Sequence, residues 1–230
     1  MSRSSTYRYL TALRSRGLIE EVGANGDYRL CSTFIYLVGS CEESTNLAAV
    51  AQPIVNDLAM SLGETALFTV RVGDRAICVT HRESPQAVRV SVEPVLNTPL
   101  HLGSSAKVHL AHLGDRDQQR VIDALLREPS TPETQKRIAE LPALLKEIRK
   151  RGWASSNGEI ESGVHSTSLP VLSETGTLIG VLTVAAPIFR APNIDELLSS
   201  LRAAAARILD GIEPRGHRAL NGEPRTEISV

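Results

Sequence analysis

The sequence predicts an α+β protein: an antiparallel sheet flanked by helices, preceded by a small helix-and-hairpin unit. Two observations carry this. Apolar residues recur at helical spacing along Leu47, Val50, Ala51, Ile54, Leu58 and Leu62, and helical patterns return across 104–113, 115–126, 132–151 and 194–209. Between them lie short strand-like runs joined by turn residues, 66–72 to 75–81 through Gly73-Asp74 and 166–172 to 178–186 through Glu174-Thr-Gly176. Runs of hairpins interleaved with amphipathic helices fold as an antiparallel sheet with helices on its faces.

In chain order, Ser4 or Ser5 caps a helix running to about Arg16. Thr6, Leu10 and Leu13 share one face; Tyr7, Arg8, Thr11, Arg14 and Ser15 share the other. Gly17 stops it, and Leu18-Ile19 and Tyr28-Arg-Leu30 read as strands joined through Asn25-Gly26, a strong hairpin signal. A helix and a hairpin in thirty residues make half of a winged helix-turn-helix. The apolar positions of 34–44 suggest a connecting helix. Pro53 predicts a kink or a late start in the next helix, which Gly63 closes. Residues 88–92 read as a further strand. The 132–151 helix starts in Ser-Thr-Pro-Glu and ends on Lys-Glu-Ile-Arg-Lys-Arg-Gly, which suits the helix dipole. Residues 211–230 have little to bury and read as a disordered tail. The expected domains are 1–32, a partial winged helix-turn-helix; 33–46, a linker helix; 47–210, the α+β domain; and the 211–230 tail.

The net charge of -1 rules out a wholly basic nucleic-acid protein, so any such role needs a local patch. Residues 3–16 supply one, with Arg3, Arg8, Arg14 and Arg16 and no acid, although such a run is more often a solvated face. The apolar runs are too short to span a bilayer, and the start lacks a secretory pattern. Cys31, Cys41 and Cys78 are odd in number without C-x-x-C spacing; they read as reduced, buried thiols, which places the protein in the cytoplasm. No nucleophile elbow, Gly-rich phosphate loop or spaced carboxylate pair marks an enzyme, and no cofactor is implied. Glu159 and Glu161 read as an ordinary acidic loop. His109-x-x-His112 has metal-ligand spacing but neither a glutamate between nor a third ligand nearby, so it reads as a surface or capping pair and no metal is expected. His101 reads as a hydrogen-bonding residue at a strand end, and Trp153 and Leu182 as core.

The motifs, taken together, have a recognisable order. Ser5-Thr-x-Arg8-x-Leu10-x-x-Leu13-x-x-x-Gly17 is followed by Gly26-Asp-Tyr28-Arg-Leu30, Gly63-Glu-Thr65, Pro99-Leu-His101 with Ala106-Lys107, Arg149-Lys-Arg-Gly-Trp153, Gly163-Val164, and Ala185-Ala-Pro187 with Arg190. From residue 4 to about 210 this series resembles the IclR family of transcription regulators. The resemblance implies a winged helix, a linker helix and a GAF-like effector-binding domain, assembled as a homodimer or homotetramer that answers small organic acids or aromatic metabolites. On double-stranded operator DNA, Arg3, Arg8, Arg14 and Arg16 would mostly meet phosphates, and Ser5, Tyr7, Arg8 and Thr11 could reach base edges. In the effector domain the backbone N–H groups of Ser104 and Ser105 would bind an effector carboxylate at a helix start. Ser156, Ser166, Thr183 and Ala185 would stand opposite, and Val164 would line an apolar wall. The competing reading of Ser104 and Ser105 is simple helix capping.

Two departures from the family pattern matter. Some members place an acid and a cysteine at the positions of Ser156 and Ser166, and Ala185 replaces a hydroxyl residue, so effector identity does not carry across. Members also have two further helices before the recognition helix, where this sequence has residues 1–3; the expectation is a missing beginning, with Leu10 and Leu13 poorly braced. The function expected is a DNA-binding, effector-sensing regulator. Its alternatives are a sensor or scaffold that has lost DNA binding and, third, a small-molecule enzyme on a GAF-like fold.

Overall fold

The structure, a computed structural model, describes residues 3–15, 19–22, 27–30, 42–92 and 97–212. The chain divides into two compact units, residues 1–49 and 50–230. In the first, α1 (Arg3–Ser15) is followed by β1 (Ile19–Val22) and β2 (Asp27–Leu30), which pair antiparallel with Ile19 opposite Leu30 and Val22 opposite Asp27. The expected hairpin forms, and it draws Glu20 and Glu21 into β1. Arg16, Gly17, the Asn25-Gly26 turn and residues 31–41, with most of the expected linker, lie outside the described residues.

The helix expected from Asn46 starts earlier, as α2 (Glu42–Leu62), with Pro53 inside it. Ala49 and Pro53 are both exposed, so the carbonyl that proline leaves without its helical partner lies on the wet side. Gly63 ends the helix with φ +67°, a conformation that favours glycine. Strands β3 (Thr65–Val72) and β4 (Arg75–Arg82) form the first hairpin of a six-stranded sheet completed by β5 (Asn97–Pro99), β6 (Ala154–Asn157), β7 (Val164–Leu172) and β8 (Leu178–Pro187). The order is β5-β4-β3-β8-β7-β6, antiparallel throughout.

The strands differ from expectation in three places. Residues 88–92, Val-Arg-Val-Ser-Val, alternate like a strand but run irregularly, because their polar groups are taken elsewhere: Thr65 Oγ1 donates to the Val90 carbonyl, and Glu83 accepts from the Ser91 hydroxyl and the Val92 N–H. The edge position goes instead to the short β5. Conversely, Ala154-Ser-Ser-Asn157 forms β6, which its small polar side chains do not advertise.

Helices cover the sheet. Between β5 and β6 come α3 (Gly103–Ala111), α4 (Asp115–Arg127) and α5 (Pro132–Arg151), and α6 (Ile194–Ile212) follows a single 3-10 turn (Ile188–Arg190). Thr131 caps α5, accepting the Thr134 N–H, with Pro132 at its first position. Arg149 near its end donates to the carbonyls of Ala111 and Leu113, both at 2.7 Å, and so satisfies the C-terminal end of α3. One core joins α3, α4 and α5 to the sheet through Val108, Leu110, Ile122, Leu141, Leu145, Ile148 and Val181. On the other face Phe68, Leu182 and Val184 are fully buried, as are Leu197, Leu201 and Ile208 of α6, which packs on β7 and β8. Of the expected tail, Gly211 and Ile212 end α6, and 213–230 lie outside the described residues.

Candidate functional site

Side chains directly opposite in an antiparallel pair share a face. Ser156 opposes Ser166, which opposes Ala185, which opposes Thr65; in the next row Ala154 opposes Ser168, then Thr183, then Leu67. The face turned toward α3 therefore carries a block of hydroxyls set among aliphatic residues. The block is buried: Ser156, Ser168 and Thr183 are each less than 10% exposed.

The start of α3 closes over this block. Leu102 is its N-cap and gives no side-chain cap, so Ser104 and Ser105 fall inside the first turn. Their hydroxyls do not cap the helix, as the competing reading has it; they bond to the sheet. Ser104 shares hydrogen bonds of 2.7 Å with both Ser166 and Ser168, and Ser168 shares one of 2.8 Å with Thr183. Ser105 pairs with Thr69 at 2.6 Å, and Thr69 with His109 Nε2 at 3.0 Å. First-turn N–H groups have no acceptor in their own helix. That of Gly103 donates to Glu159 Oε2 at 3.1 Å, and those of Ser104 and Ser105 find no acceptor among the described residues.

Between the sheet and the α3 start lies a cavity of about 730 Å³. Ser104, Ser105, Ser156, Val164, Ser166, Thr183 and Ala185, all seven positions marked in the sequence, line it, with Thr69, Leu67, Ala76, Leu102 and Ile160. Its volume lies within the usual range for small-molecule sites, and its mixture of apolar wall and convergent polar groups is their usual chemistry.

Two ion pairs stand at the cavity. Lys107, buried on α3, donates to both oxygens of Glu159 at 2.5 and 2.6 Å. Arg89, at the other side, bonds Glu83 at 2.9 Å. The Glu83 carboxyl is held at about 2, chiefly by the Ser91 hydroxyl, then by Arg89 and the Val92 N–H. Arg190 forms an ion pair with buried Glu64 and donates to the Val88 carbonyl at 2.8 Å, anchoring the 83–92 segment that forms part of the wall.

The histidines correct the sequence reading. His109 is no surface residue: it is 1% exposed, and burial, with the Arg71 charge adding to it, lowers it from the usual 6.5 to about 4. His112 does end α3, its Nδ1 at 2.9 Å from the Val108 carbonyl. His101 stands in the turn after β5, yet its buried Nδ1 has no partner among the described residues, so the expected hydrogen bond at that atom is missing. Among the described residues no group of three or more His, Cys, Asp or Glu could hold a metal. Leu182 is core as expected, but Trp153 is half-buried beneath the Arg151 guanidinium at 4.2 Å. Cys78 is half-buried with its thiol pushed up to about 11 by desolvation; Cys31 and Cys41 lie outside the described residues.

Sequence reasoning missed Thr69, Lys107, Ser168 and His109. Ser168 was legible, since it stands two residues from Ser166 and period 2 puts it on the same face. The Lys107–Glu159 partnership spans 52 positions and leaves no local mark.

Of the seven positions marked for DNA, Tyr7, Arg8, Thr11 and Arg14 are exposed on α1. Arg14 is partnered by Glu21 at 3.0 Å, so it is less available to a phosphate than spacing implied. Arg3 and Ser5 belong to α1 by their backbone, and Arg16 lies outside the described residues. Leu10 is half-buried and Leu13 40% exposed.

A curled antiparallel sheet with helices on both faces and a cavity beneath α3 defines a GAF-like domain. Residues 40–209 match the sequence model of the family described as bacterial transcriptional regulator IclR C-terminal, and the chain belongs to the IclR family. It is 28% identical over 214 residues to the DNA-binding transcriptional repressor YiaJ of Escherichia coli, covering 90% of this chain and 76% of that protein. Among solved structures, an IclR transcriptional regulator from a Silicibacter species superposes with a TM-score of 0.80 at 27% identity, covering 92% of this chain and 84% of the other. An IclR homologue from Microbacterium hydrocarbonoxydans, solved with 4-hydroxybenzoate, shares the fold with a TM-score of 0.69 at 22% identity, covering 92% and 86%. The named relatives are transcriptional regulators, not enzymes, which removes the enzyme alternative. No described helix is long and apolar enough to cross a membrane.

Proposed function

We propose that this protein is a cytoplasmic, effector-responsive transcription regulator. In this reading residues 47–210 bind a small organic acid or aromatic metabolite in the cavity under α3, and residues 1–32 read a double-stranded DNA operator through α1 and its hairpin. The observation that carries it is the convergence of seven sequence-marked residues, far apart in the chain, on one hydroxyl-rich cavity of metabolite size. Ser104 and Ser105 offer two unused backbone donors at a helix start, a seat for an anionic group. The 4-hydroxybenzoate complex of the Microbacterium homologue supports a ligand at the same level of fold. The exposed Tyr7, Arg8 and Thr11 support the DNA-reading role of α1, and repression is the mode that the YiaJ relationship favours.

Mechanistically, the protein acts as a homodimer or homotetramer whose paired DNA heads adopt operator-competent and incompetent arrangements. The effector shifts their balance only by as much as its affinity differs between the two. A thermal-shift screen of organic acids and phenols tests the first half: a ligand of the folded state raises the melting temperature. Fluorescence anisotropy on an operator selected from random duplexes tests the second. Ligand binding without any DNA binding by the full chain would leave a sensor and refute the regulator.

A further inference from the structure

The net charge of the cavity wall follows from its ion pairs. Arg89 is matched by Glu83, and Lys107 by Glu159. Glu161, exposed on the same loop, has no cationic partner among the described residues. Every other polar lining group is a neutral hydroxyl. The wall thus offers no surplus positive charge, and one surplus negative charge at the Glu159–Glu161 side.

Glu159 is firmly placed. Both its oxygens bond Lys107, and Oε2 also takes the Gly103 N–H, the first backbone donor of α3. Its neighbour Ile160 packs against Gly103 so closely that a Cβ there would stand 2.6 Å from Ile160 Cδ1. Gly158 donates to the Val164 carbonyl and Val164 to the Glu161 carbonyl, which closes the loop on itself. Among the described residues, Glu159 therefore takes the one buried cation beside the cavity and one of three helix-start donors before any ligand arrives. What remains, the N–H groups of Ser104 and Ser105 with the hydroxyls around them, suffices for one carboxylate.

Resting on the effector-cavity reading above, we propose that Glu159 is the specificity-determining residue of the site: by neutralising Lys107 it restricts the ligand to a monocarboxylate or a neutral, hydroxylated molecule and rejects dicarboxylates. A ligand hydroxyl turned toward Glu159 donates to its carboxylate; a second carboxylate there finds no free cation, because Lys107 is already matched, and faces the surplus charge of Glu161. At an effective dielectric of about 20, one uncompensated charge about 8 Å from a ligand carboxylate changes its affinity by a factor of about thirty.

The test is calorimetric titration of the full chain with 4-hydroxybenzoate, terephthalate and 4-hydroxybenzyl alcohol, which carry one, two and no carboxylates on one ring. The wild-type protein is expected to bind terephthalate at least about tenfold more weakly than 4-hydroxybenzoate. Glu159→Gln, which leaves Lys107 charged and unclaimed, is expected to raise terephthalate affinity about thirtyfold relative to the alcohol. Adding Lys107→Met to that variant is expected to return the ratio to within about threefold of wild type. Equal wild-type affinity for the two acids overturns the proposal without any variant, which covers the case in which Glu159→Gln fails to fold. A ratio unchanged in Glu159→Gln, with all three compounds binding, overturns the proposal and leaves the effector cavity standing. Binding of none of the three to either protein overturns the effector-cavity reading for aromatic ligands, and this proposal with it.

Discussion

His109 lies behind the cavity, tied through Thr69 to Ser105, and its protonation is coupled to folding. Burial and the Arg71 charge hold it at about 4 in the folded protein against the usual 6.5. A histidine whose folded pKa is depressed contributes stability that is complete above 6.5 and is lost as pH falls from 6.5 toward 4, because the unfolded chain takes up the proton first. Between about pH 8 and about pH 5.5 the difference between 6.5 and about 4 amounts to a loss of about 1.4 kcal/mol. Carboxylates change little over that window. The perturbation is His109→Gln, which keeps a polar group within reach of Thr69 and removes the titration. Urea unfolding followed by Trp153, the single tryptophan, gives the stability at both pH values. His101, His112 and His165 are also lowered by burial and contribute in the same sense, so the quantity read is the difference between variant and wild type. The variant is expected to lose about 1.4 kcal/mol of the wild-type pH dependence, whatever its absolute stability. An identical dependence in both proteins would refute a neutral, buried imidazole at 109.

Gly180→Ala would set a Cβ 2.2 Å from Phe68 Cζ in the fully buried face of the sheet, and a loss of about 3 kcal/mol or more is expected in denaturant unfolding. Adding Phe68→Leu should recover part of it. Ser104→Ala removes the hub of three linked hydroxyls and should lower stability by about 1–2 kcal/mol while weakening any ligand found by thermal shift. On α1, Arg8→Ala should weaken operator binding and lower the slope of log affinity against log salt by about one, whereas Tyr7→Ala should weaken binding with the slope unchanged. Unchanged affinity in both at fixed salt would remove α1 as the reader.

The sequence made the large helices and two long hairpins legible because period and punctuation agreed there. Pro132 and Gly152 bracket α5, and Gly73-Asp74 and Glu174-Thr-Gly176 mark the turns between long strands. It misled where tertiary partners overrode local pattern. Val88 to Val92 alternate like a strand, yet the Thr65 hydroxyl and the Glu83 carboxylate claim their polar groups. Ala154 to Asn157 have poor strand propensity and pair only because β7 lies beside them. At the site, family order located the lining positions but not how they are joined. Helix-start spacing suggested that Ser104 and Ser105 cap α3, and only the packing of α3 on the sheet turns their hydroxyls to Thr69, Ser166 and Ser168. The burial of His109 and the Lys107–Glu159 pair arise from the same packing, which one-turn spacing and an acidic loop cannot encode.

In the regulator proposed above, a ligand in the cavity under α3 controls the grip of the N-terminal unit on DNA. The direct measurement is operator affinity by anisotropy at fixed salt, with and without an acid identified by thermal shift, for the wild-type chain and for Ala185→Met, which pushes a side chain into the cavity floor. The acid is expected to change wild-type operator affinity about tenfold or more and to leave the variant within about twofold. An equal response in both proteins, or an unaltered operator affinity in a wild-type chain saturated with the acid, would contradict it.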